Sequence, residues 1–106
     1  MTDFVRVATL SELTPGQRKL IDFEEVTVAV FNIKGEIYCI EDVCTHDGGP
    51  VAEGKLDGHK IECPRHGALF DVRDGDVLSM PAVVPVPTYQ VKIEGEEILI
   101  ESPDFW

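Results

Sequence analysis

The segment Cys63-Pro64-Arg65-His66-Gly67-Ala68-Leu69-Phe70-Asp71 joins a thiol to an imidazole within one short turn, and Cys44-Thr45-His46 does the same upstream. Sixteen residues, 47 to 62, separate the two pairs. Two thiolates and two imidazoles make a complete four-ligand set for a metal centre. A structural zinc site ordinarily pairs Cys with Cys and His with His, as C-x2–4-C followed by H-x3–5-H. One Cys and one His in each of two loops suits a [2Fe–2S] cluster better, with thiolates on one iron and neutral imidazoles on the other. Tetrahedral zinc accepts the same four groups, so the ligands alone leave open a zinc-stabilised interaction module with no redox role.

The flanks favour the cluster. His46 runs into Asp47-Gly48-Gly49-Pro50, and Gly67 follows His66. Glycines beside ligands let the backbone bend tightly and turn N–H groups towards sulfur. Pro64 stiffens the second loop. As isolated punctuation, Gly-Gly-Pro would mark only a turn; beside four candidate ligands it reads as part of a site.

Outward from these loops the chain reads as strands and turns. Phe4 to Thr9, Arg18 to Asp22 and Val26 to Ile33 are β-rich and largely alternating. Lys34-Gly35 turns the last of these into Glu36 to Glu41, a hairpin leading into the first loop. Asp57-Gly58 is a hairpin signal joining residues 54–56 to residues 59–63. Leu69 to Val72 turns at Asp74-Gly75 into Val77-Leu78-Ser79; Tyr89 to Glu94 turns at Gly95-Glu96 into Glu97 to Glu101. Pro81, Pro85 and Pro87 exclude a central strand between them. Ser11 to Gly16 has room for one helical turn at most. Two hairpins with a Cys and a His at each tip are the expected form of the site.

With these motifs the chain resembles the Rieske proteins, motif C-x-H…C-x2-H, and among them the small ferredoxins of multicomponent aromatic-ring dioxygenases. The likeness runs over nearly the whole chain, including Cys63 to Asp71, Gly75 and Pro81 to Val91. It implies an all-β fold: a Rieske-type antiparallel β-sandwich base with an inserted cluster-binding subdomain at about residues 43–70, within a single domain of residues 1–106. It implies that Cys44 and Cys63 bind the inner iron and His46 and His66 the outer one. It further implies a third, shielding loop around Met80-Pro81-Ala82. The expected role is a one-electron carrier, itself no enzyme, between a flavin-dependent reductase and a terminal non-haem iron oxygenase. Subunits of other redox complexes, such as nitrite reductase, share the likeness.

The departures are informative. High-potential Rieske proteins carry an extra Cys in each cluster loop, joined as a disulfide; the matching residues here are Gly49 and Arg65. Those relatives also place Ser and Tyr hydroxyls on the cluster and its ligands, where this chain has Ala68 and Phe70. Donors to sulfur stabilise the added electron, so their loss predicts a potential low in the Rieske range of about −150 to +300 mV.

Nine Lys and Arg against 20 Asp and Glu give a formal charge of −11. That excludes the basic surface needed for nucleic acid or anionic membranes, and suits steering towards a basic docking patch. Of three cysteines, Cys39 lies in the alternating run Glu36 to Ile40 and reads as a small apolar strand residue. No disulfide framework is expected, and reduced thiols with no basic or apolar leader after Met1 point to the cytoplasm. No stretch approaches the ~18 apolar residues of a membrane span. There is no G-x-G-x-x-G and no spare pair of histidines for a second iron, since His59 alone remains. His59 is expected in an exposed turn, and Met80 in packing. His46 and His66 are expected to form the docking face, ringed by Gly48, Gly49, Pro50, Arg65, Pro81 and Ala82.

Overall fold

A computed structural model describes residues 3–45, 48–65, 67–80, 82 and 84–102. They form eleven strands: β1 (Phe4–Thr9), β2 (Arg18–Asp22), β3 (Thr27–Ile33), β4 (Glu36–Glu41), β5 (Leu56–Asp57), β6 (Lys60–Glu62), β7 (Leu69–Asp71), β8 (Val77–Ser79), β9 (Thr88–Tyr89), β10 (Val91–Glu94) and β11 (Glu97–Glu101). These make three antiparallel sheets, ordered β1-β11-β10, β2-β3-β4-β9 and β5-β6-β7-β8. No described helix is long and apolar enough to cross a membrane.

β3 explains how the sheets stack. Successive side chains on a strand point to opposite faces, and here both faces are dry. Val28 and Val30 enter one core with Val7, Ala8, Cys39, Ile98 and Ile100. Ala29, Phe31 and Ile33 enter the other with Ile40, Ile61, Phe70 and Val72. The second sheet is thus the middle layer, covered by β1 and β11 on one side and by the β5–β8 sheet on the other. Phe31 is fully buried; truncating it to Ala would remove about 3–5 kcal/mol.

Turn chemistry sets the registers. Lys34 and Gly35 both take positive φ, 55° and 93°, as a two-residue turn with the twist of its flanking strands requires. Asn32 is buried beside it, yet its amide donates to the Leu13 carbonyl and accepts from the Gly35 N–H, both at 2.8 Å.

The strand expectations hold, with three corrections. Asp57 pairs with Lys60, so the β5–β6 turn is Gly58-His59. The run from Tyr89 to Glu94 divides at Gln90: β9 pairs with β4, whereas β10 pairs with β11. Gln90 marks the corner, its N–H and C=O both engaged by Glu101. The segment Ser11 to Gly16 forms turns, within the single helical turn at most that its sequence allows. Finally, only the second Cys loop is a hairpin tip, between β6 and β7. The first Cys loop instead crosses from β4 in the middle sheet to β5 in the third.

Candidate metal centre

Cys44 and Cys63 are buried, 0% and 1% exposed, and belong to one hydrophobic cluster with Phe31, Ile61 and Phe70. No disulfide joins any of the three cysteines. His46 and His66 lie outside the described residues, so the described half of the expected ligand set is the thiol half.

The two Cys loops are built alike. The Cys44 N–H donates to the Gly49 carbonyl at 2.6 Å, and the Gly48 N–H donates back to the Cys44 carbonyl at 2.7 Å. In the second loop the Cys63 N–H donates to the Ala68 carbonyl at 2.7 Å, and the Gly67 N–H to the Cys63 carbonyl at 3.0 Å. Gly48 and Gly67 take matching positive φ, 78° and 75°, which a side chain would resist. This common device has a sequence signal, Cys-x3-Gly in both loops, which the ligand spacing of C-x-H against C-x2-H conceals.

Polar contacts brace the first loop from below. Asp42 Oδ1 accepts the Val51 and Ala52 N–H groups at 2.8 and 2.7 Å. Arg18, on β2, donates from Nη1 to the carbonyls of Ala52 and of Gly54. Thr45 Oγ1 donates to the Val84 carbonyl at 2.5 Å, tying the loop to the proline-bearing segment. Neither Asp42 nor Arg18 carried a signal separating it from other surface charges. Asp71, the last residue of β7, accepts from Arg73 Nε and Nη2; the guanidinium holds its carboxyl below the usual carboxylate range against the opposing effect of burial.

Several other expectations meet the structure here. Arg65, expected on the docking face, also reaches the loops themselves: Nη1 donates to the Pro50 carbonyl at 2.8 Å, and Nη2 lies 3.3 Å from Cys63 Sγ. Ala82 is buried, which removes it from the expected docking face, because Val86 and the Cys-loop residues pack in the same cluster. Met80 is 77% exposed rather than packed. His59 is half-buried, its ring 5.5 Å from Tyr38 in an edge-on contact. Cys39 is a buried strand residue, as expected, and burial pushes its thiol up to about 12. Ala68 and Phe70 are fully buried and offer no side-chain donor.

Two buried thiols, each at the base of an equivalent glycine-bearing turn, stand on an antiparallel frame as candidate ligands for an iron–sulfur type of site. The donor set fits such a group: soft thiolates in a dry setting, with an N–H donor already directed at one sulfur. The Rieske [2Fe–2S] domain matches residues 3–90, and the chain belongs to that family. It is 35% identical over 99 residues to the biphenyl dioxygenase ferredoxin subunit of Pseudomonas sp. (strain KKS102), covering 92% of this chain and 91% of that one. It is 38% identical over 96 residues to the 3-phenylpropionate/cinnamic acid dioxygenase ferredoxin subunit of Shigella boydii serotype 4 (strain Sb227), covering 90% of each. Its fold superposes on the ferredoxin of carbazole 1,9a-dioxygenase from Nocardioides aromaticivorans IC177 with a TM-score of 0.86, 37% identity, and coverage of 92% and 96%. The cofactor is a Rieske [2Fe–2S] cluster, and the protein is an electron-transfer component rather than a catalyst.

Proposed function

We propose that this protein carries single electrons from a flavin-dependent reductase to a terminal non-haem iron oxygenase, in the cytoplasm. The observation that carries the reading is the pair of equivalent loops that bring Cys44 and Cys63 into one buried cluster. A related ferredoxin, 32% identical with a TM-score of 0.87, has been solved under the description of a complex of reduced oxygenase and oxidised ferredoxin. In this reading Cys44 and Cys63 hold the inner iron, and His46 and His66 the outer one. Residues from about 43 to 70 act as the cluster-binding subdomain of a single domain.

The cluster, when bound, takes up and returns one electron. The chain's own residues do the rest. The two Cys loops orient the thiolates, and Ile61, Phe70 and Ala68 keep water from them. The formal charge of −11 steers the molecule towards a basic docking patch, so association slows as salt rises.

Low-temperature EPR before and after dithionite, with iron, sulfide and zinc analysis on the same sample, tests the proposal. A Rieske-type signal on reduction, with about two irons and two sulfides per chain, is expected, and Cys63→Ser, His46→Ala or His66→Ala removes it. A silent sample holding about one zinc would make the protein a structural module instead.

A further inference from the structure

Arg65 and Gly49 form a contact that the fold alone does not require. Arg65 stands in the second Cys loop, but its Nη1 reaches the Pro50 carbonyl in the first, at 2.8 Å. Its Nη2 lies 3.3 Å from Cys63 Sγ. The guanidinium passes directly over Gly49: a Cβ there would stand 2.8 Å from Cζ and from Nη2, and 3.1 Å from Nε. Gly49 has no positive φ, whereas Gly48 beside it does. Conformation therefore accounts for glycine at 48 and room for the guanidinium accounts for it at 49.

We infer that Arg65 is a positioning residue for the cluster, tying the two ligand loops together across Gly49 and holding an N–H donor and a fixed positive charge on the Cys63 sulfur. The inference rests on the ligand reading proposed above. A guanidinium presents several donors in one plane, which lets one group serve a carbonyl in one loop and a sulfur in the other. It stays protonated throughout the working pH range. Reduction adds negative charge, which a donor on sulfur stabilises, so Arg65 raises the midpoint potential. By joining the loops it also slows their separation and the escape of iron. The side chain is exposed, so salt weakens the charge effect but leaves the tie between loops.

The experiment compares cluster-loaded wild type with Arg65→Gln, Arg65→Lys, Gly49→Ala and the Arg65→Gln/Gly49→Ala double variant. Midpoint potentials come from a redox titration followed by EPR, and cluster lability from the rate of bleaching by EDTA. Arg65→Gln is expected to lower the reduced-to-oxidised ratio at fixed poise about tenfold, roughly 59 mV for one electron, and to speed bleaching several-fold. Arg65→Lys keeps the charge and loses the fork, so its potential lies between while bleaching stays fast. Gly49→Ala displaces an unaltered guanidinium and shifts both readouts in the same direction as Arg65→Gln. The double variant is no worse than Arg65→Gln alone. Wild-type potential and bleaching in Arg65→Gln, or strictly additive effects of the two substitutions, would overturn the inference. Cys63→Ser separates the two levels: a variant that kept its cluster would refute the ligand reading, whereas a cluster-free Cys63→Ser beside an unchanged Arg65→Gln would refute the role of Arg65 alone.

Discussion

The backbone carbonyl of Glu62 fills the space beside Gly54, so closely that a Cβ on Gly54 would stand 1.6 Å from its oxygen. Gly54 ends the first loop, its N–H donating to the Val51 carbonyl at 3.0 Å, and Glu62 is the residue before Cys63. The chain leaving one Cys loop thus lies against the chain entering the other. Gly54→Ala must push two backbones apart and is expected to destabilise by about 3 kcal/mol, with loss of cluster occupancy. Urea unfolding and iron content of the purified variant measure both; an unfolding midpoint equal to wild type would contradict this geometry.

Asp42 supplies one carboxylate oxygen to two N–H groups at the end of the first loop. Asp42→Ala leaves both without that partner, an expected loss of about 2–3 kcal/mol. Asp42→Asn keeps an acceptor and should recover about half. Hydrogen exchange would show the effect concentrated at Val51 and Ala52; uniform acceleration across the molecule would argue against a local brace.

Ala68 and Phe70 hold the buried positions where high-potential relatives place hydroxyls. Ala68→Ser and Phe70→Tyr should therefore each raise the midpoint potential, moving it up within the Rieske range of about −150 to +300 mV. Protein-film voltammetry reads the shift directly. Unchanged values in both variants, with the cluster intact, would mean that donors at these positions do not set the potential here.

The pH dependence of stability has two limbs. Burial pushes the Cys39 thiol up to about 12, and burial beside Glu41 pushes the Tyr89 phenol up to about 12. Both groups ionise at lower pH in the unfolded chain, where a thiol titrates near ~8.5. Stability is therefore full below that value and falls as pH rises towards 12, because the unfolded state sheds protons that the folded state keeps. Cys39→Ala should be less stable at neutral pH yet show a flatter decline between about pH 9 and 11. On the acid side, Asp71 is held low by Arg73, so its contribution is present above about pH 4 and disappears as pH falls through its lowered value. Asp71→Asn should remove that part of the acid limb in urea titrations at stepped pH.

Much of this frame was legible in the sequence, and the parts that were not share a cause. β1, β2 and β3 follow from β-rich, largely alternating runs, and Lys34-Gly35, Asp74-Gly75 and Gly95-Glu96 mark the β3–β4, β7–β8 and β10–β11 connections, because strand and turn signals are local. The division at Gln90 was hidden, since nothing in an alternating run shows that it changes partners half-way. The burial of Ala82 and the exposure of Met80 depend on which layer lies above them. The four proposed ligands are legible as residue types at fixed spacing. Their supports, Asp42, Arg18 and Arg65, are charged residues whose partners lie 9 to 36 positions away or across a loop, and only the fold brings those partners near.

The proposed thiolate ligands share their hydrophobic cluster with Phe31 of the central strand. Atoms packed at the density of an organic crystal shift little when a neighbouring charge changes, and dipoles already fixed in place need not reorient. On the proposed ligand reading, the reorganisation energy of electron exchange is expected to be small on this inner side. The speed with which an electron arrives and leaves is then governed by the outer side, where water must be cleared before a partner can come within tunnelling distance.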